Sequence, residues 1–468
     1  MKLFDGCIAA AALMAIATTA TAQDSLNRPG SGARAAGMGN AFIAVSDDGT
    51  AASWNPAGLS QLRAPEISVV HSVAWRDLFL EGYRTRDGSA LFTALKTPNT
   101  GADLEFASAA VPFTVAGRPV TVQVGWRRVY QFSGRLQGDT RRIPVSSESR
   151  PESTIRFDNS SQGGVDLWSV AGAVRVTSRL SLGWSTDFYR GAWENRQNVN
   201  ENPGVLGATD FVAMQETDAV GDHTLNIGML LAYPSVRVGV VYHGALRSVF
   251  EVNNSTRSSL TEPVDVSVGR DDGAELRFPR SIGVGVAWLP RPLVRLALDA
   301  TYDEWTQFLV RIPRPGAPDL VQSGFDGLPP ELSATRNTVT LNAGLERLFP
   351  VRGRYVPLRM GFIHEPQGER DPWLRQNSDQ MVLTAGTGLN SNSFKLDIAV
   401  EHRWGDFHKT ENLSPVYLTG SAPAFGLPSP PEAEGVARIR EWRLKTSLIY
   451  RITNTQKITE GLKKVVGS

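Results

Sequence analysis

Cysteine is almost absent from this chain: of 468 residues only Cys7 is one. Residues 1–22 read as a secretory signal, with Lys2 as a weak positive start, Ile8 to Ala17 as the apolar core and Ala20-Thr21-Ala22 as a small-residue cleavage site. Cys7 lies inside that signal and ahead of its apolar core, which argues against a lipoprotein anchor. The mature chain is therefore expected to hold neither a disulfide nor a thiol nucleophile, which suits a bacterial envelope better than a eukaryotic secreted protein. An excess of one charge sign is lacking too. Forty-eight basic residues against 47 acidic leave a net charge of +1, which gives no case for nucleic acid. Beyond the signal, no uninterrupted apolar run nears the ~18 residues that a membrane helix needs. The other way to span a bilayer is a closed β-barrel, in which strands satisfy one another's backbone groups.

Catalytic signatures are missing as well. No G-x-S-x-G elbow and no Walker A sequence occurs. The six histidines are scattered, and the densest group, Glu401-His402 with Asp406-Phe407-His408, fits no standard zinc spacing and reads as the polar base of a loop. Asp47-Asp48, just ahead of a Gly-Thr turn, reads as a pair of carboxylates capping backbone donors. The expectation is a non-enzyme with no catalytic residue, no metal and no cofactor.

What is present is alternation. Over 394–403, Phe394, Leu396, Ile398 and Val400 share one face while Lys395, Asp397, Glu401 and Arg403 lie on or near the other. Over 293–302, Val294, Leu296, Leu298, Ala300 and Tyr302 oppose Arg295, Ala297, Asp299 and Thr301. Residues 442–451 set Trp442, Leu444, Leu448 and Tyr450 against Arg443, Lys445, Ser447 and Arg451. The stretches 179–189, 224–232, 282–288 and 338–346 repeat this with small polar residues or glycine opposite the apolar face. A period of two with one apolar face is the pattern of a membrane barrel. Very short links near Thr177, Pro234, Pro290-Arg291 and Ser391 alternate with long ones, roughly 133–164, 191–221, 248–278, 305–335 and 404–439. Short periplasmic turns and long outer loops give that asymmetry. Tyr130, Trp184, Tyr189, Trp288, Tyr302, Trp305, Trp404, Trp442 and Tyr450 fall at or near strand ends and read as two interfacial aromatic girdles. A soluble two-sheet protein would alternate too, but it explains neither the link lengths nor the girdles. About fifteen candidate strands can be counted, where single-chain bacterial barrels carry an even number.

Ahead of the strands, residues 30–62 form a small, glycine- and alanine-rich segment in which Asn55-Pro56-Ala57-Gly58 forces a turn. Compact and turn-punctuated, it reads as a plug. The pattern Gly32, Arg34-Ala35, Gly37-Met38-Gly39, Ala41-Phe42, Ala44, Asp47-Asp48, Ala51-Ala52, Trp54-Asn55-Pro56-Ala57-Gly58-Leu59 resembles the N-terminal hatch of outer-membrane long-chain fatty-acid and aromatic-hydrocarbon transporters of the FadL/toluene-transporter type. Residues 279–308 resemble that family's strand pair, ending in Asp299, Tyr302 and Trp305. The resemblance is specific in these two blocks and architectural elsewhere. It implies an all-β, 14-stranded antiparallel transmembrane barrel with the hatch inside the lumen, in the outer membrane of a Gram-negative bacterium. The expected division is a signal over 1–22, a hatch over 23–65, a barrel over 66–451 and a periplasmic tail over 452–468. It further implies loop capture of a hydrophobic ligand, an apolar pocket above the hatch, a small hatch shift and exit sideways through a gap in the wall. The gate residues that carry over are Gly37, Met38, Gly39, Asn55, Pro56 and Ala57.

Apolar clusters in the long links are the candidates for capture, namely Phe211, Val212 and Met214 beside Val205 and Leu206, and Tyr417, Leu418 and Phe425 beside Val416 and Leu427. A lid of loops folded on one another is the alternative. The inward charges Arg295, Asp299, Lys395, Asp397, Glu401, Arg443 and Lys445 read as an internal salt-bridge network that holds the hatch, or as a basic contact for an amphiphile's carboxylate. Expected partners are outer-membrane lipid and a hydrophobic small molecule. A rival reading is a PorV-type structural or secretion-accessory barrel working through a periplasmic or secretion-system protein, motivated by the basic, helix-like stretch ITNTQKITEGLKKVVGS after Tyr450.

Overall fold

A computed structural model describes residues 27, 29–85, 94–132, 134–142, 153–204, 207–258, 274–314, 316–325, 328–370, 377–410 and 433–453. The signal, residues 416–427 and the stretch beyond 453 lie outside the described residues.

One antiparallel sheet closes on itself. In chain order its strands are β1 (Glu66–Thr85), β2 (Ala94–Val115), β3 (Arg118–Gln131), β4 (Gly134–Arg142), β5 (Ser153–Arg175), β6 (Leu180–Gly204) and β7 (Gly207–Ala232). They continue as β8 (Val236–His243), β9 (Leu246–Ser258), β10 (Ala274–Phe278), β11 (Ser281–Arg291), β12 (Val294–Asp303), β13 (Leu309–Ile312) and β14 (Leu320–Ser323). The last five are β15 (Thr338–Val351), β16 (Arg354–Arg370), β17 (Asn377–Asn390), β18 (Phe394–Thr410) and β19 (Ala433–Arg451). Four breaks divide single strands, and each has a local cause or marker. β3 runs on as β4 past Phe132 and β8 as β9 past Gly244-Ala245. Pro279, which has no N–H to give the ladder, separates β10 from β11, and a 3-10 turn at Trp305–Gln307 separates β12 from β13. β14 pairs with β13 alone. Fourteen strands therefore make the wall, and β1 pairs with β19 over most of its length to close it.

The pleat behaves as alternation requires. Phe394, Ile398, Val400, Leu296, Leu298, Trp442, Leu448 and Tyr450 face outward, while Lys395, Asp397, Glu401, Asp299, Lys445 and Ser447 are buried in the lumen. Two expectations need correction. Much of the length assigned to long loops is strand: β5, β6 and β7 have 23, 25 and 26 residues, against the ~10 that cross a bilayer. Above the membrane both faces meet water, so the apolar alternation fades while the ladder continues. Phe211, Val212 and Met214 sit on β7, opposite Val199, Asn198 and Arg196 of β6, rather than in an irregular lid. The girdles are also smaller than expected. Trp184, Trp288, Tyr302, Trp404, Trp442 and Tyr450 point outward, but Tyr130, Tyr189 and Trp305 are buried inside. Tyr189 shares its parity with the inward Asp187, Trp305 lies in the 3-10 turn, and Tyr130 follows a bulge at Val129 that reverses the parity of β3.

Residues 30–62 lie within the barrel as a short helix α1 (Ala33–Gly37), two 3-10 turns (Ala51–Ser53 and Pro56–Gln61) and connecting turns. The wall receives them through its own glycines. A Cβ on Gly361 would strike the Gly39 backbone, one on Gly344 the Met38 carbonyl, one on Gly239 the Ile43 carbonyl and one on Gly183 the Pro56–Ala57 backbone. Gly39 itself has φ +58°, and a side chain there would meet Ala343 and Phe362. Replacing Gly361 with valine is expected to leave barrel insertion and heat-modifiable mobility intact but to undock the plug, raising single-channel conductance several-fold. Conductance equal to wild type would show that the plug does not depend on this contact.

Candidate functional site

The lumen is layered along the barrel axis, and a single strand carries every layer. Reading upward from its short-turn end, β6 points Gly183, then Ser185 and Asp187, then Tyr189 and Trp193 inward. The first meets the plug, the next two join a polar belt, and the last two enter an apolar cluster.

In the lowest layer the plug is tied by charge. Arg34 of α1 grips Glu346 of β15 bidentately, with Nε to Oε2 at 3.0 Å and Nη2 to Oε1 at 3.0 Å. Arg359 and Arg295 add contacts of 2.8 and 3.0 Å to the same carboxylate. Arg359 passes on to Asp397 at 2.7 Å, and Lys395 binds Asp48 of the plug at 2.8 Å. Arg34 also pairs with Asp47. Of the charges expected to fill the lumen, Arg295, Lys395 and Asp397 thus belong to the plug network, whereas Lys445 pairs with Glu105 and Glu401 of the wall. Asp48 does cap Thr50, accepting from its N–H at 3.1 Å and from its hydroxyl at 2.6 Å, but its second oxygen has the larger task of meeting Lys395. Burial opposes ionisation of Asp48, yet Lys395 and Arg34 outweigh it and hold the carboxyl well below the usual range. Asp47 is lowered in the same way, against burial, by Arg34 and Arg295.

The plug backbone, irregular and therefore rich in unpaired polar groups, is satisfied by wall side chains. Asp299 of β12 accepts from the Phe42 and Ile43 amides at 2.6 and 2.8 Å. Asn342 donates to the Gly39 carbonyl at 2.8 Å, and Thr384 Oγ1 accepts from Gly39 N at 3.1 Å. Asn55 is a hub: its Nδ2 donates to the carbonyls of Ile43 and of Met229 on β7, and its Oδ1 accepts from Ala57 N. All six residues carried over as a gate are buried where plug meets wall. Gly37 abuts Gly386, Met38 and Gly39 meet β15 and β16, and Asn55, Pro56 and Ala57 meet β6 and β7.

Above the plug lies a chamber of about 110 Å³. The chamber expected there was apolar; the one found is mixed, with Asp187, Asn226, His243 and Asp299 set among Ile43, Trp54, Val241 and Ile363. The apolar surface sits one layer higher. Tyr130, Phe132, Tyr189, Trp193, Leu246, Phe278, Trp305, Phe308 and Ile312 form one buried cluster, with Tyr130 stacked on Phe278 at 5.1 Å and Phe308 against Phe325 at 4.8 Å. No local stretch of sequence signals this cluster, because its members come from six separated strands and the segments between them. Burial of Tyr130, Tyr189 and Trp305, which had been assigned to girdles, is what reveals it. Phe211, Val212 and Met214 have described backbones only, and Tyr417, Leu418 and Phe425 fall outside the described residues.

The hydrogen-bonded ladder of the wall lapses at one place. β2 and β3 pair from Val115–Arg118 up to Phe106–Arg127, and no pairing between them continues above that point among the described residues. Glu105 is an extra residue there, since His71 and Val70 of β1 face Leu104 and Phe106. Bulges at Glu105 and Val129 thus bend both strands where the ladder ends. β4, which continues β3, runs on beside β2, and a cavity of about 350 Å³ lies behind the lapse, with Asp103, Glu105, Arg127, Arg128, Arg443 and Lys445 among its lining.

A closed, plugged barrel of the outer-membrane type is the class that this geometry defines. No protein-family model matches the chain, and no curated protein sequence matches it. Solved structures do. A FadL homologue from Pseudomonas aeruginosa superposes with a TM-score of 0.57 at 14% identity, over 89% of this chain and 97% of its own. The toluene transporter TodX of P. putida gives 0.52 at 13% identity, over 91% and 99%. A TodX deletion mutant described as a monoaromatic hydrocarbon channel gives 0.51 at 14%, over 90% and 99%. The chain has the FadL-type fold, as its two sequence blocks implied.

Removing one member of a buried ion pair costs about 3–5 kcal/mol. Arg34→Ala is therefore expected to speed amide exchange in residues 33–45 by ~100-fold or more while barrel amides stay protected; uniform protection would rule out the ion network as the plug's anchor. The acid response has a definite sign. Because Asp47 and Asp48 ionise more readily docked than free, their contribution is complete above the free-chain value of about 3.9 and is lost only as pH falls below it. The share of plug protection that these two carboxylates supply, read by hydrogen exchange as the difference between wild type and Asp48→Asn, is expected to stay flat from pH 7 to about 4.5 and to decline below that.

Proposed function

We propose that this chain is a passive channel in the outer membrane of a Gram-negative bacterium, admitting long-chain fatty acids or aromatic hydrocarbons and gated by its N-terminal plug. The observation that carries the reading is the buried apolar cluster inside a lumen whose floor is sealed by a charge-anchored plug. Barrel interiors are ordinarily wet and polar, so thirteen buried apolar side chains gathered in one cluster call for a ligand that rewards them. Each methylene buried there contributes about 0.8 kcal/mol. A hydrophobic molecule taken up at the outer strand tips, where Phe211, Val212 and Met214 lie, enters the cluster and reaches the plug. The lapse in the ladder between β2 and β3 marks the place for a sideways exit. Strength of gating rests on Gly37, Met38, Gly39, Asn55, Pro56 and Ala57.

The test is uptake of oleate and of toluene by cells lacking their own fatty-acid transporter, expressing wild type or Asn55→Ala with insertion checked by heat-modifiable mobility. Saturable uptake of either compound, altered at least several-fold in the variant, is the expected result. An inserted barrel that takes up neither compound overturns the reading, and equal uptake by both proteins removes the plug as the gate.

A further inference from the structure

The chamber between plug and apolar cluster has a chemistry that a hydrocarbon does not use. Register places its wall residues at one height: Asn226 of β7 faces His243 of β8, His243 faces Ser281 of β11, and Ser281 faces Asp303 of β12. Asp187 on β6 joins through Asn226, whose Nδ2 donates to its carboxylate at 2.8 Å. Asp187 and Asp299 are 6% and 5% exposed, line the chamber, and form no salt bridge among the described residues. Asp299 spends one oxygen on the plug amides, while its buried Oδ1 has no hydrogen-bond partner. Thr340, also in the lining, has a buried hydroxyl oxygen in the same state.

Among the described residues two arginines line the chamber beside His243, and both bind elsewhere. Arg403 binds Glu365 at 2.8 Å and also meets Gln380, and Arg127 donates to the Pro29 carbonyl at 2.9 Å. The opposite wall therefore presents acceptors in excess. The rings of Trp54 and Tyr189 border the same space, and Tyr189 belongs at once to the chamber and to the apolar cluster above. At about 110 Å³ the space suits a head group, not a whole ligand.

We propose that this chamber binds the ammonium group of an amphipathic amine whose apolar body lies in the cluster above, an inference that rests on the channel reading. A desolvated carboxylate is stabilised most by a cation that also donates hydrogen bonds, and an ammonium supplies three donors. Aromatic faces beside it add cation–π attraction. A carboxylate head would add acceptors to a site that already has them in excess, and a bare hydrocarbon would leave Asp299 Oδ1 unanswered.

The experiment is a tryptophan-fluorescence titration of the purified full chain with three probes of equal apolar size: 2-phenylethylamine, phenylacetate and ethylbenzene. The amine is expected to bind at least tenfold more tightly than either of the others. Asp187→Asn, which keeps the side chain's shape and leaves the plug contacts of Asp299 alone, is expected to weaken the amine about tenfold and to leave ethylbenzene within twofold. Equal or weaker binding of the amine, or an amine affinity unchanged in the variant, overturns the inference while ethylbenzene binding keeps the channel reading. Failure of all three probes overturns both.

Discussion

Glu346 accepts three guanidinium groups, two from the wall and one from the plug, and the lower lumen is arranged around that meeting. A barrel of fourteen strands is too wide for its own side chains to fill. Something else must occupy the space, and here it is an irregular segment of the same chain. Such a segment brings unpaired amides and carbonyls with it, so the surrounding wall has to be polar where the two meet. Ser447, Asp299, Asn342, Thr384 and Gln123 each answer a backbone group of the plug. Charge anchors the plug, and these hydrogen bonds set its register.

Close approach needs the opposite property, an absence of side chain. Glycines on β6, β8, β15 and β16 lie where the plug backbone touches the wall, so plug and barrel are matched by mutual deletion of volume as well as by charge. The same parity that turns a glycine inward at the floor turns aspartate inward in the middle and tyrosine or tryptophan inward above. A molecule descending the lumen meets apolar surface first, acceptors next and the anchored plug last. The layers are thus ordered by chemistry, and β6 contributes to all of them.

Much of this order was legible beforehand. Period-two alternation assigned Lys395, Asp397, Asp299 and Lys445 to the inside and Leu298, Val400 and Trp442 to the outside, because a strand's pleat leaves no other choice once one face is apolar. The plug was legible from its small residues and its Asn-Pro-Ala-Gly turn. Errors came where a local signal had two meanings. Tyr130, Tyr189 and Trp305 sit near strand ends, as girdle residues do, but a bulge, an unbroken parity and a 3-10 turn respectively sent them inward. The outer extensions of β5, β6 and β7 look like loops because water on both faces removes the alternation, although the ladder persists.

The sequence by itself determined where the membrane-crossing part of the strands lies, which face of it is apolar, the compact segment ahead of the strands and the absence of any standard catalytic motif. These follow from backbone geometry and near-neighbour chemistry, which act over a few residues. Tertiary structure alone decided which carboxylate meets which guanidinium, since Arg34 and Glu346 are 312 positions apart. It alone decided that the β2–β3 ladder lapses where bulges on the two strands coincide. It alone placed a chamber holding Asp187 and Asp299 between the plug and an apolar cluster. Those features depend on strand register around a closed barrel, and register is set by the sum of all the pairings rather than by any one stretch of chain.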